Sequence, residues 1–200
     1  MAVALLSELT ALRARVAATG GRLEKRRLVA EYLRALPPDD LTRAVTYLSG
    51  RAFSASDPRV LNVRGLPAAP AVGGGAPLTL GDVAEAFGAV AEAAGPGARR
   101  LREGRLGELA ARASAEERDL LQRIVFGEMR MGLSEGLVLE AIAQAAGAPV
   151  AGVRRAALVT GDLTAVATLA LTGGAEALAA ATPRVFVPLL PMLAEVAADP

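Results

Sequence analysis

Residues 114–147 read SAEERDLLQRIVFGEMRMGLSEGLVLEAIAQAAG and carry the clearest structural signals in the chain. Ser114 followed by Glu117 forms a capping box, the pattern of a helix N-terminus, and apolar pairs spaced by four residues follow it. Gly127 is placed to end this helix, and Ser134 is placed to cap a second one. The stretch therefore predicts two amphipathic helices joined by a short connector.

Helical periodicity also covers most of the remaining chain. Further helices are predicted at residues 3–18, 23–36, 41–49, from Thr79 to about residue 94, 106–113, from Pro149 onward, and 162–173. Asp39 is predicted to cap the third helix of the chain. No stretch alternates between apolar and polar residues for long enough to indicate a strand. The sequence therefore predicts an all-α, multi-helix fold with roughly eight to ten helices.

The chain has 200 residues, a length that suits one ordinary domain. We expect a helical domain over residues 1–182, followed by an extended linker over the proline-rich residues 183–200. Within the domain, residues 54–78 combine prolines with glycines and predict a long irregular loop. A loop of this length inside a compact domain is usually functional or mobile, and a linker between two helical halves is the alternative.

Cysteine and histidine are both absent from the chain. Their absence excludes disulfides, thiolate or imidazole metal ligands, a cysteine nucleophile and every catalytic scheme that uses histidine. The formal net charge is +1, which neither indicates nor excludes a nucleic-acid partner. Lys25 is the only lysine, and all other basic residues are arginine. Because arginine binds phosphate through two parallel hydrogen bonds, a cluster of arginines would favour phosphate contacts.

No segment has the features of a signal peptide or a membrane span. Glu8 interrupts the first apolar run, and the uncharged apolar residues 163–171 are too few to cross a bilayer. We therefore expect a soluble protein in the cytoplasm, with no membrane partner.

The connector between the two central helices carries the strongest indication of function. Gly127 can adopt the left-handed conformation that ends a helix, and Gly132 allows a close backbone approach because it has no Cβ. Arg130 lies between these glycines, and Ser134 begins a helix whose free N–H groups and dipole favour an anion. Together these residues predict a small phosphate-binding corner, although composition alone favours an ordinary turn with an exposed arginine.

A weak internal repeat relates residues 41–61 to residues 118–139. In each, a helix ends at a glycine, the connector contains an arginine, and an acidic residue precedes a Val-Leu pair. The paired positions are Gly50 with Gly127 and Arg51 with Arg130. Chance similarity among common residues is the alternative. A true repeat would give two pseudo-repeated helix-turn-helix units, which could contact two phosphate backbones.

Four short segments occur in a fixed order along the chain. They are Tyr47-Leu48-Ser49-Gly50, then Gly127-x-x-Arg130-x-Gly132-Leu133-x-Glu135 with its apolar helix, then Thr160-Gly161-Asp162-Leu163, and finally Pro188-Leu189-Leu190-Pro191-Met192-Leu193-Ala194. This set resembles the N-terminal DNA-binding domain of ATP-dependent DNA ligases, most of all those of the actinobacterial type. Residues 60–65 depart from the family pattern, because they poorly match its glycine-rich stretch.

The resemblance implies a helical module that grips nicked duplex DNA through the minor groove and the backbone, without reading the sequence. Such binding is driven by phosphate contacts and weakens with salt. The residues expected to contact DNA are Gly127, Arg130, Gly132 and Ser134, then Arg51 at the equivalent repeat position, and finally Arg154 and Arg155.

The residues that seal a nick in this family are missing from the sequence. The family uses a Lys-x-Asp-Gly motif whose lysine is adenylated by ATP, whereas Lys25 lies in Glu24-Lys25-Arg26-Arg27. The metal-binding carboxylates and the OB-fold of the family are also missing. We therefore expect no cofactor and no activity in this fragment. ATP, Mg, and the adenylation and OB-fold domains would belong to a parent enzyme.

Two other functions fit parts of the sequence. A helical protein-interaction scaffold would bury the same Ala/Leu faces and use a concave surface for a partner. One contiguous positive surface would favour DNA binding, whereas scattered arginines would favour the scaffold. A small-molecule enzyme fits least well, because adjacent acidic residues such as Asp39 and Asp40 diverge on a helix and suit capping better.

Overall fold

Nine α-helices make up the part of the chain that this computed structural model describes, residues 3–68 and 76–183. Their bounds are α1 Leu6–Ala18, α2 Arg22–Ala35, α3 Pro38–Leu48, α4 Leu80–Glu92, α5 Ala98–Arg112, α6 Ala115–Phe126, α7 Glu135–Ala146, α8 Val150–Thr160 and α9 Leu163–Ala179. The predicted all-α fold is confirmed for these residues, in which the only β-pairing is an isolated bridge between Leu5 and Thr79. The predicted linker lies outside the described residues, apart from Pro183.

Capping residues set the starts of the helices where the sequence predicts them. The Ser114 hydroxyl accepts from the Glu117 N–H at 3.2 Å, and the Glu117 carboxylate accepts from the Ser114 N–H at 2.8 Å. Thr79 and Asp82 exchange the same pair of bonds at 2.9 and 2.8 Å. The predicted capping box at Ser114 is confirmed, and both boxes satisfy backbone donors that the first turn of a helix leaves free.

The core consists mainly of leucine, valine and alanine, with two fully buried aromatic rings. Tyr47 of α3 and Phe87 of α4 meet edge to face, with their ring centroids 6.3 Å apart. Helix α7 packs against α2, α8 and α9, while α3 packs against α9. Hydrogen bonds reinforce the contact between α2 and α7. Arg26 donates to the Gln144 side chain at 2.8 Å, and Arg34 donates to the Gln144 backbone carbonyl at 2.7 Å. Three neighbouring helices therefore hold the helix that follows the connector.

The third helix begins earlier than predicted. It starts at Pro38, with Pro37 as its N-cap, because a proline fits the first turn of a helix, where its missing N–H needs no partner. Asp39 therefore lies within the first turn and is not the cap. Asp40 is buried, and its carboxylate accepts from the Ala4 N–H at 2.9 Å and from Arg43 at 2.7 Å.

Two further helices are longer than predicted. Helix α5 is continuous through both the arginine-rich segment 99–105 and the helix predicted at 106–113. Helix α9 continues past the predicted end at Gly173 to Ala179, with a kink at Gly174, where φ is 66° and ψ is −157°. Glycine adopts this backbone conformation without a Cβ clash, so the chain bends there and then resumes the helix.

The segment between α3 and α4 forms no helix in its described residues, as predicted for residues 54–78, of which 69–75 are not described. Leu61 is buried within it, whereas Val60 is exposed. The prediction of two helix-turn-helix units is not confirmed. After Gly127 the connector leads into α7, whereas the Val60-Leu61 pair that follows Gly50 lies in irregular backbone.

Candidate functional site

The connector between α6 and α7 has the helix ends that its sequence predicts. Gly127 ends α6 with a φ of 73°, and the Glu128 N–H bonds the Arg123 carbonyl at 2.9 Å. The Ser134 hydroxyl caps α7 by accepting from the Leu137 N–H at 3.2 Å. Both roles are confirmed as backbone geometry.

The two helix ends that the sequence repeat pairs lie against each other. Gly50 has a φ of 72°, and the Arg51 N–H bonds the Thr46 carbonyl at 3.2 Å, the same closing bond that ends α6. A Cβ on Gly50 would lie 3.4 Å from the Gly127 carbonyl oxygen. The two helix ends therefore share one type of closing bond, and their close approach brings Arg51 near the connector.

Side chains alternate along the connector between buried and exposed positions. Met129 and Met131 are buried, whereas Glu128 and Arg130 are exposed. The two methionines anchor the connector in the core and leave the charged side chains at the surface. The predicted corner is thus accessible to a ligand.

Arg130 adopts a backbone conformation that few residues other than glycine take. Its φ of 44° lies in the left-handed region, which costs on the order of 1 kcal/mol for such a residue. Its side chain is 72% exposed and pairs with Glu128 at 2.6 Å. Exposed ion pairs contribute little to stability. Because no strong bond of its side chain offsets the strain, the conformation is of the kind that clusters at binding sites.

Arg51, Gly127 and Arg130 line one cleft of about 300 Å³. Residues 161–164, at the start of α9, also line it, as does Glu135. The Arg51 side chain makes no hydrogen bond or ion pair with any residue that the structure describes. The cleft therefore presents two accessible guanidinium groups beside the connector that carries Gly132 and Ser134.

Asp162 joins two segments of the cleft wall. Its buried carboxylate accepts from the Thr164 N–H at 2.8 Å, as the N-cap of α9, and from the Ser56 hydroxyl at 2.6 Å. Burial acts to raise the pKa of Asp162, but the hydrogen bonds from Ser56 and Thr164 outweigh it and hold the pKa below its usual value. This carboxylate fixes the cleft and occupies the start of α9, so that helix end is not a free anion site.

Arg154 and Arg155, on α8, form bonds elsewhere. Arg154 donates to the Glu140 carboxylate at 3.1 Å, and Arg22 donates to the same oxygen at 2.7 Å. The hydrogen bond from Arg22 lowers the pKa of Glu140 against a smaller effect of desolvation, and the charges of the neighbouring arginines lower it further. Arg155 donates to the Ala179 carbonyl at 3.1 Å. Neither arginine lines the cleft, so the structure does not bring these two predicted site residues to the connector.

Arginines in the described ranges are spread over the helices, and most of them already bond a carboxylate or a carbonyl of the same chain. Arg27 contacts Glu24 and Glu31 within α2, and Arg123 contacts Asp119 within α6. Pairs of this kind are typical of solvated helix faces. The scattered arrangement is the one expected for a scaffold, so the case for phosphate binding depends on the local geometry of the connector.

Sequence reasoning missed the part that Lys25 takes in this site. Lys25 lies on α2, and its Nζ is 3.4 Å from the Met131 carbonyl oxygen. No local signal identifies such a contact, because more than one hundred positions separate the two residues and only the packing of α2 against α7 brings them together.

The described residues contain neither a membrane-spanning helix nor a metal-binding cluster of acidic side chains. No helix among them is both long enough and apolar enough to cross a membrane. No group of three or more acidic residues among them is arranged to hold a metal ion.

Comparison with known proteins relates this chain to one family. The sequence model of the family described as "DNA ligase N terminus" matches residues 66–143, which include the whole connector.

Curated relatives match nearly the full length of this chain. A "Probable DNA ligase" of Anaeromyxobacter dehalogenans is 44% identical over 201 residues, which cover 98% of this chain and 38% of the relative. Proteins with the same name from Beutenbergia cavernae and Mycolicibacterium gilvum are 40% and 38% identical, each over 98% of this chain and over 39% and 38% of their own lengths. The chain thus spans less than two fifths of the length of these relatives.

Proposed function

The chain belongs to the family of DNA ligase N-terminal domains, as its motifs predicted, and we propose that it binds duplex DNA as one domain of a longer ligase, the parent ligase. The proposed contact is the connector between α6 and α7, with Gly127, Arg130, Gly132 and Ser134, together with Arg51 across the cleft. Arg154 and Arg155 enter only as outer contacts, because their guanidinium groups already bond other parts of the protein.

One observation carries the proposal. Arg130 holds a left-handed backbone and an exposed side chain on a connector whose neighbouring methionines are buried. A phosphate would gain a bidentate guanidinium contact there, together with backbone N–H groups, and none of these groups reads a base edge. Binding of this kind is independent of sequence and driven by the DNA backbone.

In this proposal the sealing of the nick is carried out by other domains of the longer ligase and not by this chain. The parent ligase would bind ATP and Mg through adenylation and OB-fold domains and seal nicks left by replication, repair or recombination. This chain would hold the nicked duplex through its minor groove and backbone, over the helical domain at residues 1–182. A ligase acts where the chromosome is, so the proposal includes a cytoplasmic location.

The direct test is a gel shift of the 200-residue chain on nicked and intact duplexes of several sequences. We expect binding to all of them with similar affinity, and a loss of affinity between low and moderate salt, because phosphate contacts release counterions. A strong preference for one base sequence would contradict a contact that is limited to the backbone.

An interaction scaffold is the second candidate, because the arginines are spread over the surface and mostly paired within the protein. The same gel shift separates the two functions. A chain that binds no duplex even at low salt would favour the scaffold, since a phosphate-driven contact is strongest under those conditions.

A further inference from the structure

Lys25 contacts the connector from α2. Its Nζ makes two long hydrogen bonds, to the carbonyl oxygens of Met131 at 3.4 Å and Gly132 at 3.5 Å. A Cβ on Gly132 would lie 2.6 Å from this Nζ, so the ammonium fills the space that a larger residue would need. No carboxylate within the described ranges pairs with Lys25, whereas Arg22 and Arg27 of the same helix are both paired.

The two bonds set the orientation of two successive peptide groups. In a trans peptide the carbonyl and the N–H point in opposite directions. The carbonyls of Met131 and Gly132 are directed at Lys25, so the N–H groups of Gly132 and Leu133 are directed away from it. Neither N–H has an acceptor among the residues that the structure describes.

Free amides at this place form an anion-binding arrangement. Arg130 and Gly132 both have a positive φ, at 44° and 64°. Successive N–H groups around left-handed residues form concave sites that bind anions. The orientation of the amides therefore matters for the binding of phosphate, and Lys25 controls that orientation from the opposite side.

We propose that Lys25 is a positioning residue that holds the carbonyls of Met131 and Gly132 inward, so that the amides of Gly132 and Leu133 face a DNA phosphate. This inference rests on the proposed function. Lys25 does not touch the phosphate, because its ammonium lies on the carbonyl side of both peptides. The amides and the Arg130 guanidinium make the contact.

Salt dependence distinguishes positioning from direct contact. Each phosphate that a cation neutralises adds about −0.9 to the slope of log affinity against log salt concentration. Loss of a positioning residue lowers affinity at every salt concentration and leaves that slope unchanged, since neutral amides displace no counterion. Loss of a direct contact makes the slope shallower.

The experiment measures the affinity of the 200-residue chain for a fluorescent nicked duplex by anisotropy over a series of salt concentrations. Lys25→Met is expected to bind roughly tenfold more weakly than the unsubstituted chain, which is about the effect of losing one charge-assisted hydrogen bond. The slope of its log affinity against log salt concentration is expected to equal that of the unsubstituted chain. Lys25→Arg keeps a donor for the two carbonyls and is expected to recover most of the affinity. Arg27→Met is the matched control, because it removes an exposed and already paired charge from the same helix.

Each result decides the proposal. Parent-like binding by Lys25→Met would refute the positioning role and leave the proposed function intact. A slope shallower by about 0.9 for Lys25→Met would also refute it, because Lys25 would then contact phosphate directly. Absence of duplex binding by the unsubstituted 200-residue chain would refute both proposals. In the parent chain, the amide NMR signals of Gly132 and Leu133 are expected to shift on addition of duplex, and unshifted signals would overturn the inference even if a variant fails to fold.

Discussion

Asp162 links two segments of the cleft wall, at Ser56 and at the start of α9. Its charged form is the one that Ser56 and the Thr164 amide bind, and its pKa lies below the usual value in the folded state. Its stabilising effect is therefore complete above the unfolded-state pKa of about 3.9 and is lost as the pH falls through the lower folded-state pKa.

Replacement of Asp162 by alanine is expected to lower the free energy of unfolding by about 2 kcal/mol near neutral pH, because the cap of α9 and the bonds to Ser56 are both lost. The difference from the unsubstituted chain should shrink as the pH falls below about 3.9, because the Asp162 carboxylate is then protonated in the unfolded state and, at still lower pH, in the folded state as well. Urea denaturation over a range of pH measures this. Ser56→Ala keeps the cap and should cost less. A difference that is constant with pH would contradict the role given to the carboxylate.

Single residues also mark the limit of what the sequence predicts about the site. Gly127 and Ser134 were predictable because a helix end and a helix cap are local signals. The positive φ of Arg130 was not predictable, because few residues other than glycine adopt it. The contact of Lys25 with the connector was not predictable either, because only the packing of α2 against α7 brings the two together. Arg154 was predicted to contact DNA because the sequence alone does not reveal its partner within the protein. Only the fold shows that its partner, Glu140, lies on the neighbouring helix.

At the scale of helices, capping determines where α6 begins and therefore where the connector lies. Ser114→Ala is expected to reduce the free energy of unfolding by about 1 kcal/mol, because the first turn of α6 loses its side-chain acceptor. Thermal or urea denaturation measures the loss. Ser7→Ala, an exposed serine in the first turn of α1, is the control and should change stability little. Equal effects of the two substitutions would contradict the capping role.

Helix boundaries were predicted correctly where a single local signal, such as a capping box, determined them. The predictions were wrong where a local stop signal competed with another influence on the helix. Asp39 is predicted to cap the third helix, yet α3 already begins at Pro38, because a proline fits the first turn of a helix. A helix end is predicted at residue 173, yet α9 continues because Ala170 and Leu178 are buried on either side of the kink. Burial in the core decides such cases, and a local pattern does not contain that information.

At the scale of the whole molecule, the charge pattern favours a local binding site over a continuous positive face. The paired arginines keep most helix faces close to neutral, and the net charge of the chain is only +1. We therefore expect weak long-range attraction to DNA, and the proposed affinity should depend strongly on the few groups at the connector that are free to bind phosphate. The chain spans about 38% of the length of the first of these relatives.

Arg130→Glu, compared with Arg105→Glu, tests the central claim most directly. Both arginines are exposed and pair with one nearby glutamate, but only Arg130 lies on the connector. Binding of the 200-residue chain to nicked and intact duplexes is measured for each variant at equal salt. We expect Arg130→Glu to weaken binding to every duplex at least about tenfold and by a similar factor, and Arg105→Glu to have little effect. Equal losses from both substitutions, or an unaffected Arg130→Glu, would contradict phosphate binding at this connector.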